Sequence, residues 1–203
     1  MVDDWTKTIL EIDLIDGIRH GVCVSNLTYL IARKLGLDDE ECYNLAVAGM
    51  VHDIGKLRLS SYLYGRNSNG MLIEEIQYMR MHSKLGYDIL KKYGYNDAIC
   101  EAVLYHHENY DGSGYPDNRK AEQIPLGARI MRVADAFIAL ISERPYREAY
   151  DFDSAISIMI EDVKEYDIQV FLAFMDVIHE DGMLRKIKQN QSMIDYDMEE
   201  FNL

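Results

Sequence analysis

The stretch Asp38-Asp39-Glu40-Glu41-Cys42-Tyr43-Asn44-Leu45-Ala46-Val47-Ala48-Gly49-Met50-Val51-His52-Asp53-Ile54-Gly55-Lys56 decides how the chain is read. Asp38 followed three residues later by Glu41 has the form of a capping box, which satisfies free N–H groups at a helix start. Leu45, Ala48 and Met50 then run at helical spacing into Val51-His52-Asp53, and the helix stops near Gly55. The His52-Asp53 doublet therefore falls at a helix end.

Working outward, the same period dominates. Ile12, Ile15, Leu27, Leu30 and Ile31 recur at three- and four-residue spacing within Ile9 to Leu35, with Gly17 and Gly21 placed to bend or split that stretch. Arg58 to Gly70 reads as a loop, helical pattern resumes over Ile73 to Met79 and Ser83 to Tyr93, and His82 lies at their junction. A helix is predicted over Asp97 to His106, followed by a segment, Glu108 to Ile124, too rich in Gly, Asn and Asp to continue it. Pro125 leads into a helix over Leu126 to Ile141, interrupted by Arg144-Pro145, and two more are predicted at Asp153 to Val163 and Asp167 to His179. No period-two strand is visible. The expectation is an all-α fold, a helical bundle with one domain over residues 1–180 and an acidic tail over 181–203 that frays or docks on a partner.

Composition narrows the class. The 203 residues, 48% of them hydrophobic and only three of them proline, suffice for a single core and argue against a disordered chain. The formal charge of −14 repels phosphates and membrane surfaces, so neither duplex nucleic acid nor a membrane is an expected partner, and any anionic substrate must be captured locally. Cys23, Cys42 and Cys100 are odd in number and widely spaced, which fits a reducing compartment; with no visible leader or apolar span, the expected location is the cytoplasm.

Six histidines are present, and His20, His52, His82, His106 and His107 each lie beside a carboxylate or at an element boundary. Imidazole and carboxylate together suit Fe, Mn, Zn or Ni, and a carboxylate such as Asp53 has two oxygens with which to bridge a pair of ions. Asp16 and His20, four apart, face one way on a helix. His179 stands apart from these and reads as structural.

His52-Asp53-Ile54-Gly55-Lys56 resembles the signature of the HD superfamily of metal-dependent phosphohydrolases. His106-His107-Glu108-Asn109-Tyr110-Asp111-Gly112-Ser113-Gly114-Tyr115-Pro116 is similar to the HHExxDGxGYP run of the HD-GYP subfamily, with Ile124-Pro125 following at the family's spacing. At roughly one in twenty per position, the eight specified residues of that run coincide about once in 25 billion windows. The resemblance implies an all-helical phosphodiesterase that hydrolyses cyclic di-GMP to pGpG and often on to GMP. It implies His20, His52, Asp53, His82, His106, His107 and Asp135 as ligands of two divalent ions, Fe or Mn before Zn or Ni. Asp16 stands where some members carry the Glu that holds a third.

The implied reaction is in-line attack of a metal-bridging hydroxide on phosphorus, with His52 and Asp53 holding the metal and Lys56 binding phosphate and assisting the leaving oxygen. Arg144 and Arg147 fall where the family uses basic residues on the ligand. Tyr115 anchors its loop or lines the nucleotide pocket, and Gly112, Gly114 and Pro116 shape the turn. Cys23, where the family often has Arg, reads as a packed thiol. Ile138 replaces an Asp three residues after Asp135, Arg58 and Ser60 replace Gly and Pro after Lys56, and Asn118, Arg119 and Ala121 replace Gly, Leu and Gly after the signature. Two alternatives stand beside the enzyme: a weakly active adaptor that binds cyclic dinucleotides, and an HD phosphohydrolase acting on another nucleotide. The chain either acts alone, as a homodimer through exposed apolar helix faces, or is a module dependent on a sensor or regulatory partner.

Overall fold

The capping box forms: Glu41 N donates to Asp38 Oδ1 at 2.8 Å while Asp38 N donates to Glu41 Oε2 at 3.1 Å, opening helix α2 over Asp39–Val51. The computed structural model describes residues 4–63, 77–143, 147–183 and 186–187, with side chains described from 15 to 59 in the first of these. Among them α1 spans Asp4–Lys34, α3 Lys56–Leu63, α4 His82–Lys92, α5 Asp97–Tyr105, α6 Leu126–Ile141, α7 Phe152–Glu161 and α8 Ile168–Ile178, with short 3₁₀ turns at Ala121–Gln123 and Val163–Glu165. The described residues contain no strand, in agreement with the all-α expectation.

The helix boundaries follow local chemistry. Asn96, Asp151 and Asp167 cap α5, α7 and α8 by accepting from Ile99 N, Ser154 N and Gln169 N, each at 2.9 Å. α1 runs unbroken past Gly17 and Gly21, so these glycines do not split it. The predicted helix over Ile73 to Met79 lies mostly outside the described residues, of which 77–79 are helical.

α6 is the central element. It packs on α1, α5, α7 and α8, and α1 also covers α2 and α8. Its Ile130, Met131, Val133, Ala134, Phe137 and Ile138 are fully buried in one core with Leu27 and Ile31 of α1 and Phe174 of α8. Each large apolar side chain so buried stabilises the fold by about 1.5–3 kcal/mol. Ile138 is thus a core packing group. Met183 and Ile187 are also buried in this core, so it extends past residue 180; the remainder of the tail, from 188, lies outside the described residues. Cys23 is buried, which pushes its thiol up to about 11 and makes it the packed, unreactive group expected.

The consequence for function is geometric. α1 and α6 cross with His20 and Asp135 facing one another, and the ends of α2 and α5 and the start of α4 are brought to the same place.

Candidate metal centre

Three of the histidines are fixed by the same local device. His52 and His106 follow the last residues of α2 and α5, and each ring places Nδ1 on a carbonyl three residues back: Gly49 O at 2.7 Å and Val103 O at 2.6 Å. His82 does so with Met79 O at 2.7 Å. Carbonyls in a helix's last turn lack an intrahelical donor, so Nδ1–H satisfies them and leaves Nε2 as a bare lone pair.

Those lone pairs converge. His82 Nε2 lies 3.3 Å from His106 Nε2 and 3.1 Å from His107 Nε2. His20 Nε2 is 2.8 Å from Asp135 Oδ1, and His52 Nε2 is 3.7 Å from that oxygen and 3.4 Å from Asp53 Oδ2. His82 Nε2 also lies 3.3 Å from Asp53 Oδ1. Donor atoms fall into three groups within 4.8 Å: His82, His106 and His107; His20, His52 and Asp135; His52, Asp53 and His106. All seven ligands named from the sequence are therefore brought together.

The donors fit a cation. With Nδ1–H committed to carbonyls, His82 and His106 turn two lone pairs toward each other, an arrangement that only a positive charge between them favours. His52 Nε2 is buried without a hydrogen-bond partner, and a buried polar atom is rarely left so. Fixing one ring nitrogen on a carbonyl while the other faces a shared point is how proteins orient metal-binding imidazoles.

Protonation states agree. Burial, reinforced for His106 by the neighbouring rings, lowers His82 and His106, and burial brings His107 down to about 3 against the opposing pull of Asp135. Burial alone would raise Asp53 and Asp135, but the electrostatic pull of His52 and Lys56 on Asp53 and the hydrogen bond between His20 and Asp135 hold both well below the usual carboxylate range. Neutral imidazoles and ionised carboxylates are the forms that bind metal.

A cleft of about 420 Å³ opens beside the cluster, lined by His20, Asp53, His107 and Asp135. Lys56 lines it too, with Nζ 2.6 Å from Asp53 Oδ2. Arg147 reaches the cleft, but its terminal nitrogens donate to Ala139 O at 2.8 Å, Leu140 O at 3.0 Å and Glu148 O at 2.9 Å, which ties the chain after α6 to that helix's end. Arg144 lies outside the described residues. Tyr115 stacks on His107, with ring centroids 4.7 Å apart, and the Arg80 guanidinium carbon lies over the Tyr115 ring, 5.1 Å from its centroid. Asp16 is not among the converging donors; its exposed carboxylate accepts from Arg19 at 3.2 Å. His179 caps α8 through Met175 O at 2.8 Å, the structural role expected.

Two features escaped the sequence reading. Glu108, 1% exposed, accepts from Asp117 N at 2.7 Å and Arg119 N at 3.1 Å, holding the loop against the centre. A Cβ on Gly114 would stand 2.4 Å from His107 O, so only glycine lets the loop lie this close to His107. Arg132 is the second: it lines the cleft with Nε on Asn109 Oδ1 at 2.7 Å and a terminal nitrogen on Glu165 Oε2 at 2.9 Å. The adjacent His-His-Glu hinted at Glu108; no local pattern marked Arg132.

Among the described residues no helix is long and apolar enough to cross a membrane. A family model described as HD domain matches residues 5–170. The chain is 40% identical over 139 residues to the cyclic di-GMP phosphodiesterase response regulator RpfG of Xanthomonas campestris, covering 66% of this chain and 36% of that protein. It is 37% identical over 145 residues to the 3'3'-cGAMP-specific phosphodiesterase 3 of Vibrio cholerae, covering 71% of this chain and 31% of that protein. The chain thus spans about a third of the length of these relatives. Among solved structures, a cyclic GMP-AMP specific phosphodiesterase of Vibrio cholerae superposes with a TM-score of 0.70 at 16% identity, over 91% of this chain and 52% of that one, a likeness of fold. With its His-Asp doublet and converged histidines, this chain belongs to the HD domain family.

Proposed function

We propose that the chain is a divalent-metal-dependent phosphodiesterase that opens cyclic di-GMP to pGpG, and that the pGpG is carried on to GMP. The observation that carries this reading is the convergence of five imidazoles and two carboxylates on one point beside a cleft that also holds Lys56 and Arg132. His52 and His106 each belong to two of the three donor groups, which supports two neighbouring ions, and the nitrogen and oxygen donors favour Fe or Mn. Bound there, such ions supply Lewis acidity at the phosphoryl oxygens and lower the pKa of coordinated water.

The chain's own residues do the rest. The carbonyl bonds at Nδ1 hold His52, His82 and His106 in the tautomer whose Nε2 can coordinate. Lys56 Nζ, steadied by Asp53, is placed to pair with a phosphate oxygen and to hand a proton to the departing ribose oxygen. Arg132, held by Asn109 and Glu165, offers the cleft a second fixed cation, which is how a chain of net charge −14 captures an anion locally. The buried free thiols Cys23, Cys42 and Cys100 are in keeping with action in the cytoplasm.

Incubating the chain, loaded anaerobically with Mn or Fe, with cyclic di-GMP and resolving the products chromatographically tests this. Formation of pGpG and GMP that disappears in His52→Ala and Asp53→Ala is the expected result. Absence of both products with either metal would overturn it.

A further inference from the structure

Resting on the reading of this cleft as a cyclic dinucleotide site, we propose that Asp162 reads the edge of a guanine base and sets a preference for guanine over adenine in the substrate. Asp162 caps the C-terminus of α7 and lines the cleft that also holds His107, Asp135 and Lys56. Its side chain is exposed, and among the described residues its carboxylate has no hydrogen bond or ion pair.

Nothing in the fold calls for a carboxylate there. A helix C-terminus is the negative end of the helix dipole, where cations are favoured, and the last turn of α7 has no basic residue to offset the charge. The cleft is one that a phosphodiester must enter, so a bare carboxylate on its wall repels the phosphate. Arg132, one of the cations lining the cleft, is turned to Asn109 and Glu165 and not to Asp162. An acceptor-only group so placed asks for N–H donors from the ligand.

The surroundings supply the rest of a base site. Ile158 lies four residues earlier on α7 and lines the same cleft, so a ring packed on Ile158 presents its edge toward Asp162. Ala136, Ala139 and Leu140 of α6 add apolar lining. The backbone at Asp162 is fixed: its N–H donates to Ile158 O at 3.2 Å, and its carbonyl accepts from Glu165 N at 2.8 Å. Glu165 O in turn accepts from Tyr110 N at 2.8 Å, which ties this wall to the loop that backs His107.

Guanine presents N1–H and an N2 amino hydrogen side by side, which the two oxygens of a carboxylate accept as a fork. Adenine presents at the same edge a bare N1 lone pair beside its amino group, so one oxygen faces a lone pair. A site built to accept two hydrogens discriminates strongly against a ligand that brings one. Because Asp162 is exposed to water, the preference is of the order of tenfold to a hundredfold, the range of a charge-assisted hydrogen bond.

The test compares kcat/KM of the Mn-loaded full chain for cyclic di-GMP, 3'3'-cGAMP and cyclic di-AMP, in the wild type, Asp162→Ala and Asp162→Asn. The wild type is expected to favour cyclic di-GMP over cyclic di-AMP by about tenfold or more, carried in KM, with 3'3'-cGAMP following its guanine. Asp162→Ala flattens that ratio. Asp162→Asn, whose amide pairs a donor with adenine N1 and an acceptor with its amino group, moves it toward cyclic di-AMP, which a merely structural role would not do. Equal wild-type values, or a ratio that survives both substitutions, overturns the inference. Equilibrium binding of the same three dinucleotides is measured alongside, with bis(p-nitrophenyl) phosphate hydrolysis as a base-free reading of the centre. Phosphodiester hydrolysis without guanine preference defeats the Asp162 inference alone. Guanine-selective binding that Asp162→Asn abolishes, with no hydrolysis of any phosphodiester, defeats the proposed enzymatic function alone.

Discussion

Glu108 offers the sharpest test of how the loop supports the metal centre. Its carboxylate is 1% exposed and accepts two backbone N–H groups, Asp117 at 2.7 Å and Arg119 at 3.1 Å. A hydrogen bond to a charged group contributes about 1.5–3 kcal/mol, and removing the acceptor leaves its donor wanting. Asp117 is exposed and Arg119 partly so, which lets water reach the freed groups and puts each bond at the lower end. Glu108→Ala, losing both, is then expected to cost about 3 kcal/mol, and Glu108→Gln, which keeps one oxygen, about 1.5 kcal/mol. At about 2–4 °C per kcal/mol for a chain of this size, the melting temperature of metal-free protein should fall by about 6–12 °C for Ala and about 3–6 °C for Gln. Scanning calorimetry of chelated protein reads this without the contribution of bound metal. The same loop carries Tyr115, whose N–H donates to His107 O at 3.1 Å and whose ring stacks on that imidazole. Metal affinity should therefore fall as well, within the 10- to 100-fold range typical of groups that orient ligands. If Glu108→Ala melts within about 2 °C of the wild type, its carboxylate does not hold the loop and this account is wrong.

Three other outcomes are expected. A Cβ at Gly55 would stand 2.0 Å from His82 O and 2.7 Å from Gly86 N, both backbone atoms, so Gly55→Ala must push α4 away from the His-Asp turn; circular dichroism melts and metal content should both collapse, and wild-type values for either would contradict the packing described. His106→Ala should lose bound metal, since His106 belongs to two donor groups, whereas Asp16→Ala should retain the wild-type metal content, because Asp16 faces Arg19 instead; elemental analysis distinguishes them. Chelated protein should lose stability as pH falls from about 6.5 toward 4, because the unfolded chain takes up protons that the half-buried His107, held at about 3, does not. His107 alone gives a slope approaching about 1.4 kcal/mol per pH unit in that window, and urea denaturation at stepped pH would refute it by showing none.

Much of the centre was legible because its chemistry is short-range. A histidine just past a helix end finds an unpaired carbonyl three residues back with no help from the rest of the fold, as His52 and His106 do, so its tautomer is set by the local chain. The capping box at Asp38 and Glu41 is equally local. The unbroken α1 was not legible in this way. Two glycines cost a helix about 1 kcal/mol each relative to alanine, and isolated propensity argues for a break; burial of Val24, Leu27 and Ile31 in the common core outweighs it. The cleft wall was the least visible part. Arg132, Asp162 and Glu165 share a surface only because α7 and the turn after it pack beside α6, and no spacing along the chain encodes that approach.

The same division explains which parts of the site should tolerate change. Ligands whose tautomer is set locally need only the helix ends to meet, and those ends are held by a core in which Phe137, Phe174, Leu27 and Ile31 are almost wholly buried. Ile138 shows the consequence: where the family resemblance leads one to expect a carboxylate, this chain packs an isoleucine into the core, yet Asp135, one turn earlier on α6, still meets His20 at 2.8 Å. On the proposed reading, substrate choice rests on the other class of contact, side chains of the cleft wall such as the exposed Asp162 and the half-buried Arg132, which Asn109 and Glu165 hold by one hydrogen bond each. An exposed wall residue such as Asp162 can be exchanged at little cost to the fold, since exposed substitutions usually move stability by no more than about 0.5 kcal/mol. Related chains can therefore keep one metal centre and differ in the base they accept. The two relatives compared, one named for cyclic di-GMP and one for 3'3'-cGAMP, are 40% and 37% identical to this chain over the matched residues, and are separated in name by the base that such a wall would read.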